Sequence, residues 1–463
     1  MRAVLLIDFG STYTKLTAVD LEAEALLGVA AAYTTVETDI GDGLAAARRL
    51  LDAQTGPVDY EACYACSSAA GGLRMVTSGL VPELTGEAAK LASLGAGAKV
   101  AGVYAFQLTE DDIEDIRAAR PDILLLVGGT DGGNTECILH NAAMLATLPP
   151  DFPVIVAGNR TAARQCRRLL EGFEVHICPN VMPKFGVLNI EPTQKQIREI
   201  FLRRIVQAKG LSKASKLLSD IMMPTPSAVL LAMELLSKGC EGESGIGELL
   251  AVDVGGATTD VYSIADGLPQ RMNTVYKGLP EPYAKRTVEG DIGMRYSAQG
   301  VLDAAGLPKL CALSGLSEDR VTALLAEIRE HTDLVPAAGS ELGRLDFALA
   351  SCAVEEAVRR HAGAMTETYT MMGQTFVQEG KDLTQVGQLV VTGGSLIHAR
   401  RTEEIAAHAL YDPADPASLR PREAGIWVDR RYILSAMGLL SAHHPQTALR
   451  IMKKELAYHG HSE

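Results

Sequence analysis

Residues Leu5–Lys15 and Leu250–Asp260 carry the same phrase: an apolar run ending in a carboxylate, Asp8 or Asp253, then a glycine-containing, hydroxyl-rich turn, then a second apolar stretch. Each copy predicts a strand, a tight turn and a return strand. Glycine lets backbone N–H groups approach an anion, hydroxyls add donors, and an aspartate can hold a hard cation through its waters. Two such hairpins facing one another would form a phosphate clamp. One D-x-G-[ST] hairpin is a weak signal, but two in matching contexts, one in each half of the chain, favour phosphate contact over a pair of ordinary hairpins.

The copies differ at one position. The seventh residue after the first aspartate is Lys15, and the seventh after the second is Asp260. An odd offset across a hairpin brings the return-strand side chain back near the turn. Lys15 would then offset phosphate charge, and Asp260 would orient an attacking water or hold a metal-bound water. Gly10, Gly255 and Gly256 would offer backbone N–H groups, and Ser11, Thr12, Thr258 and Thr259 hydroxyl donors.

At 463 residues and 47% hydrophobic composition, the chain supports two or more folded domains. Between the hairpins, strands at Ile123–Val127, Val154–Ala157 and Val175–Cys178 alternate with helices near Cys137–Leu148 and Thr161–Leu170. This βαβαβ pattern, near 121–180, predicts a parallel sheet. Its loop Gly128–Asn134 leaves the carboxyl end of a strand, where α/β sheets bind ligands, but lacks the dinucleotide glycine spacing. A structural turn and a ligand or partner site both stay open for it. A short helix over Pro224–Ser237 and a connector over Gly239–Gly247 place the division of the chain at 1–247 and 248–463.

In the second half, Glu289-Gly290-Asp291 reads as opening a helix, with Asp291 an N-cap or a group near a metal. Helical segments, including Ala350–Gln378, follow. The strand Leu389–Thr392 then runs into Gly393-Gly394-Ser395, a turn near 391–396 where a nucleoside can lie against backbone. The strand Ile426–Val428 and the helix Arg431–Ser441 come last.

The net charge of −14 argues against nonspecific nucleic-acid binding. The basic stretch Lys195–Lys216, with Arg198, Arg203, Arg204, Lys209 and Lys213, reads as the solvated face of a helix. No apolar run approaches bilayer length, so no membrane span and a cytoplasmic location are expected. Eight scattered cysteines suit reduced thiols, and the close pair Cys63 and Cys66 reads as buried small hydrophobes.

Hairpin, connecting helix, hairpin and nucleoside turn, in that order, resemble the superfamily containing actin, the 70-kilodalton heat-shock chaperones and the sugar kinases. Asp8–Lys15 has the D-x-G-S-x-x-x-K form of actin, and Asp253–Asp260 resembles the chaperone phrase D-x-G-G-G-T-x-D. The helix beginning near Pro226 stands where those chaperones carry their connecting helix. The glutamate preceding their proline is replaced here by Thr225, so no catalytic glutamate carries over. The resemblance implies an α/β fold of two ribonuclease-H-like halves around a nucleotide cleft, with the α/β unit inserted in the first half. It also implies Mg-ATP held with Asp8 and Asp253 across the metal, and with Gly393, Gly394 and Ser395 against the nucleoside.

Further phrases extend the likeness along the chain: Ser67-Ser-Ala-Ala-Gly-Gly-Leu-Arg-Met-Val, Leu84-Thr-Gly-Glu-Ala-Ala-Lys, Leu125-Leu-Val-Gly-Gly-Thr-Asp-Gly-Gly-Asn and Asp429-Arg-Arg-Tyr-Ile-Leu-Ser-Ala-Met-Gly-Leu-Leu. Together they resemble the accessory proteins of adenosylcobalamin-dependent glutamate mutase, the family called MutL or GlmL. That resemblance implies a slow ATPase that reactivates a mutase partner, and leaves open whether the chain forms a homo-oligomer. Alternatives are a small-molecule kinase, an actin-like structural ATPase, and an iron–sulfur activator of acyl-CoA dehydratases, for which Cys63 and Cys66 are a poor cluster site.

Overall fold

Both apolar runs that end in aspartate are strands, and both are buried along nearly their whole length. The computed structural model describes residues 2–10, 13–34, 40–68, 73–208, 223–337, 339–371 and 373–460. Ser11 and Thr12 of the first turn, and Lys209 and Lys213 of the basic stretch, lie outside the described residues. The chain divides into two units, residues 1–229 with 278–280 and residues 230–277 with 281–463.

In the first unit, β1 (Ala3–Phe9), β2 (Tyr13–Asp20), β3 (Ala25–Tyr33) and β4 (Tyr60–Ser67) begin a mixed sheet. The chain then leaves it for a second sheet built from β5 (Arg74–Ser78), β6 (Lys99–Tyr104), β7 (Ile123–Leu126), β8 (Val154–Val156) and β9 (Val175–Ile177). It returns as β10 (Met223–Pro224). The first sheet has the order β10-β4-β1-β2-β3, with β1 antiparallel to β2 and parallel to β4. The inserted sheet is wholly parallel, in the order β6-β5-β7-β8-β9. Its central strand Ile123–Leu126 is buried on both faces, as a parallel strand covered by helices must be. The inserted sheet therefore extends upstream of the βαβαβ stretch to include β5 and β6.

The second unit opens with a small antiparallel ribbon, β11 (Gly239–Cys240) and β12 (Glu243–Ser244). The strands β13 (Leu249–Val254), β14 (Thr259–Ile264), β15 (Thr274–Lys277), β16 (Ala284–Glu289), β17 (Ala364–Thr370), β18 (Gly373–Glu379), β19 (Gln388–Thr392), β20 (Gly425–Val428) and β21 (Ala457–His459) follow. Its main sheet has the order β16-β14-β13-β19-β20-β21. β13 is antiparallel to β14 and parallel to β19, and β14 is antiparallel to β16. Strand for strand, this repeats β3-β2-β1-β4-β10, so the fold is a duplicated ribonuclease-H-like α/β fold with an α/β unit inserted into its first half.

The core of each unit follows from these strands. Leu5, Ile7, Phe9 and Leu16 pack with Ala47 and Leu51 of the helix Ile40–Thr55. Leu250, Val252 and Val254 pack with Leu345, Leu349 and Val354 of the helix Glu341–His361. Helix Glu191–Ala208 buries Ile197, Ile200 and Phe201 while Lys195 and Arg203 are exposed, the amphipathic arrangement expected for its basic stretch.

Two readings need correction. The helix expected to run through Gln378 stops at His361, and Ala364–Thr370 and Gly373–Glu379 form the antiparallel pair β17–β18. Thr366, Thr368, Thr375 and Val377 are β-branched, and a side chain at Gly363 would put its Cβ 2.6 Å from the Lys381 carbonyl oxygen, so that position accepts only glycine where the chain turns. Glu289 is the last residue of β16 and Asp291 lies in a turn, with the next helix starting only at Ala298. Arg360 donates to Glu289 at 2.8 Å and to Asp291 at 2.9 Å, so these carboxylates serve an ion-pair cluster and cap no helix.

Candidate functional site

The first hairpin closes through Gly10, whose N–H donates to the Tyr13 carbonyl at 3.0 Å. A Cβ at Gly10 would lie 2.5 Å from that same oxygen, so the turn accepts only glycine there. The register sets Asp8 directly opposite Lys15. Lys15 Nζ lies 3.8 Å from Asp8 Oδ2, so the offset argument from the sequence describes the geometry correctly. Asp8 is buried, and the Thr225 hydroxyl donates to its Oδ1 at 2.7 Å.

Thr225 reaches Asp8 because β10, just before it, pairs with β4 through Cys66 and Ser67. Thr225 Oγ1 also lies 3.6 Å from Cys66 Sγ. Burial, followed by the neighbouring Asp8 charge, pushes the Cys66 thiol well up, so Cys66 stays protonated. Sequence comparison identified Thr225 only as a missing glutamate. The structure makes it the residue that orients the first aspartate.

The second hairpin repeats the turn: Gly255 N–H donates to the Thr258 carbonyl at 2.9 Å, and Asp253 pairs with Asp260. Its turn carbonyls are held from one side. Met294 N–H donates to Gly255, the Arg295 and Tyr296 N–H groups donate to Gly256, and the Ser297 hydroxyl donates to Ala257. Arg295 is fixed in turn by Asp346 at 2.7 Å and by the Leu334 carbonyl. The N–H groups of Gly256, Ala257 and Thr258 find no acceptor among the described residues. With the carbonyl ends anchored and the N–H ends free, the turn is polarised to receive an anion.

Thr258 is half-buried beside these N–H groups. Thr259 is buried, and its hydroxyl donates to the Ile292 carbonyl at 3.1 Å, bracing the return strand. Asp260 Oδ1 receives Arg286 Nε at 2.7 Å, and Arg286 is itself buried. Burial alone would lower the Arg286 pKa, but the Asp260 carboxylate and the Tyr262 hydroxyl outweigh it and raise the guanidinium above its ordinary value. Arg286 has no signature in sequence, since its partner lies across a neighbouring strand.

β19 delivers the Gly393–Ser395 turn to Asp253. Thr392 pairs with Asp253 across the parallel ladder. A Cβ at Gly393, whose φ is +96°, would lie 2.7 Å from Asp253 Oδ1 and 2.4 Å from the Val254 carbonyl oxygen. Gly394 is exposed with open space around it. Thr392 donates to Asp429 Oδ2 at 3.1 Å, and Asp429 accepts the N–H groups of Ile433 and Leu434 at the start of the last-but-one helix. The structure thus gathers Asp253, the free turn N–H groups and Gly393 in one unit, and Asp8, Lys15 and Thr225 in the other.

Among the described residues no group of three or more His, Cys, Asp or Glu could hold a metal by itself. The donor set fits Mg2+ arriving with phosphate, because that ion takes one or two carboxylates and completes its shell with phosphate oxygens and water. No helix among the described residues is long and apolar enough to cross a membrane.

The family profile described as MutL protein matches residues 4–456. The chain belongs to the MutL protein family. It is 47% identical over 460 residues to Protein MutL of Clostridium tetanomorphum, covering 98% of this chain and 99% of that one. Among solved structures it is similar to the activator of the 2-hydroxyisocaproyl-CoA dehydratase from Clostridium difficile with bound ADPNP, with 10% identity, a TM-score of 0.32, and 98% and 95% of the two chains covered. It is likewise similar to xylulose kinase from Bifidobacterium adolescentis, with 10% identity, a TM-score of 0.34, and 99% and 96% covered. Those likenesses are distant, and the duplicated fold rests on the matching strand orders of the two sheets.

Proposed function

We propose that this MutL-family protein binds Mg-ATP, hydrolyses it slowly, and uses the nucleotide cycle to reactivate an adenosylcobalamin-dependent mutase, glutamate mutase in the first instance. The observation that carries the nucleotide part is the second hairpin turn, with three N–H groups free, its carbonyls anchored and Asp253 alongside. Family membership supports the accessory role.

In this reading Asp8 and Asp253 hold the water shell of Mg2+, and the bound metal supplies charge neutralisation for the phosphates. Ser11 and Thr12 of the first turn and Gly256, Ala257 and Thr258 of the second donate to phosphate oxygens, while Gly10 and Gly255, expected from the sequence to donate as well, spend their N–H groups closing the two turns. Thr259 keeps the second return strand in place. Lys15 offsets negative charge beside Asp8. Asp260, oriented by Arg286, accepts a hydrogen bond from the attacking water through its second oxygen. Gly393, Gly394 and Ser395 present backbone to the nucleoside.

The test is ATP hydrolysis with and without purified glutamate mutase, together with recovery of a mutase inactivated by damaged cobalamin. Phosphate release that rises with mutase, and recovery with ATP but not with a nonhydrolysable analogue, are the expected results. Asp8→Asn and Asp253→Asn should each lower hydrolysis by roughly 100-fold or more. A phosphorylated metabolite appearing from labelled ATP would replace the proposal with a kinase.

A further inference from the structure

The inserted α/β unit carries a feature that the nucleotide chemistry does not use. Arg160, Arg164, Arg167 and Arg168 fall within nine residues of a chain whose net charge is −14. Arg164, Arg167 and Arg168 lie on the short helix Ala163–Leu169, whose Ala163 and Cys166 are buried while all three arginines are exposed. Their spacing of three and four residues puts them on one face. Among the described residues none of the three has an ion-pair partner, and the Arg160 side chain, 79% exposed, has only Asp131 at 3.9 Å.

Fold stability does not account for this arrangement. Like charges at these spacings repel one another. The helix dipole favours Arg167 and Arg168 in the last turn, but disfavours Arg164 in the first.

The face is also built on a rigid platform. Arg160 follows Asn159, whose buried side chain donates to the carbonyls of Gly133 and Asn134 at 3.0 and 3.1 Å and accepts from Gly132 N–H at 3.1 Å. Asn180 donates to the Gly129 carbonyl at 3.0 Å. The glycine-rich loop Gly128–Asn134 is therefore locked by two buried asparagines. Asp131 accepts from Arg160 N–H at 3.0 Å and donates its own N–H to the Pro183 carbonyl at 3.0 Å. That bond brings up the 183–187 segment, which holds Phe185 out at 76% exposure. Exposed guanidiniums and a projecting aromatic ring, tied through Asp131 to one preorganised support, are the composition of an interface centre.

We infer that Arg160, Arg164, Arg167 and Arg168, with Phe185, form a docking surface for an acidic face of a partner protein. The partner is identified with the mutase, and to that extent the inference rests on the accessory role proposed above. The basic face complements an acidic protein surface and steers its approach, and Phe185 fills an apolar depression at its margin.

The experiment compares the full chain with its R164E/R167E/R168E and F185A variants for binding to purified glutamate mutase at low and moderate salt. Basal ATP hydrolysis and thermal unfolding of each variant should match the parent, because these residues lie outside the nucleotide machinery and are exposed. The expected result is parental binding that weakens with salt, and at least tenfold weaker binding by the triple variant with the salt dependence gone. Equal binding by parent and triple variant would overturn the docking surface and leave the accessory role standing. No binding by the parent would overturn both. Binding of a 20-base-pair DNA duplex by the parent, lost in the triple variant, would reassign the face to nucleic acid and overturn the inference.

Discussion

Asp8 and Asp253 hold the same place in two sheets of the same strand order, yet what surrounds them differs in kind. Among the described residues Asp8 is the one charged side chain buried in the first unit, and its oriented partner is the neutral hydroxyl of Thr225. The second unit buries Lys285, Arg286, Lys381, Asp382, Arg420 and Asp429, along with His361. Its hairpin is braced by Arg286 on the return strand and by the 294–297 segment behind the turn. A duplicated fold has thus kept its register and diverged in electrostatics. The first half holds its aspartate by the Thr225 hydroxyl and Lys15, and the second sets a buried arginine against the carboxylate that faces its aspartate across the hairpin. Buried charge is costly to disturb.

The largest test of that contrast removes the Arg286 charge. Arg286→Met leaves Asp260 uncompensated, and unfolding in guanidinium chloride should show a loss of about 3–5 kcal/mol. Part of it should return in the Arg286→Met/Asp260→Asn double variant. A loss below about 1 kcal/mol would place the two halves on an equal footing.

Next in size is Thr225→Val, which keeps the shape but removes the donor to Asp8. A loss of about 1.5–3 kcal/mol is expected, with Thr225→Ser recovering most of it. Full stability in the valine variant would remove Thr225 as the support of Asp8.

The smallest effect is a pH dependence special to the second unit. Burial, reinforced by Lys285, lowers Lys381 from its ordinary 10.5 to about 7. Between those values the unfolded chain carries a proton that the folded chain lacks, so stability rises with pH, by about 1 kcal/mol from pH 7 to pH 8. Lys381→Met should flatten that slope in denaturation curves taken at the two pH values. A slope unchanged by the substitution would assign it to other groups.

Much of this architecture was legible in the sequence, because strand, turn and register are local matters. An apolar run, an aspartate and a glycine fixed each hairpin, and the seven-residue offset placed Lys15 opposite Asp8 and Asp260 opposite Asp253. Thr225, Arg286 and the 294–297 brace were not legible, since each acts on a residue far along the chain through a contact that no local pattern encodes. The misread hairpin at 364–379 has a different cause. It follows a long helix with no proline to stop it, and its alternation of threonines is short enough to pass for a helix face. Asp291 misled because a carboxylate before an apolar stretch looks like a cap, when its partner is Arg360 on a distant helix.

The return of the chain to β4 through the two-residue strand β10 has a consequence for how this protein assembles itself. On a ribosome, β1 to β4 emerge first but stand incomplete, and the entire inserted sheet is made before Met223 and Pro224 can dock beside Cys66 and Ser67. Closing so long a loop becomes less demanding once the intervening chain has already condensed. The inserted unit is thus made before the first sheet can be completed, and the Asp8–Thr225 bond has to wait for it.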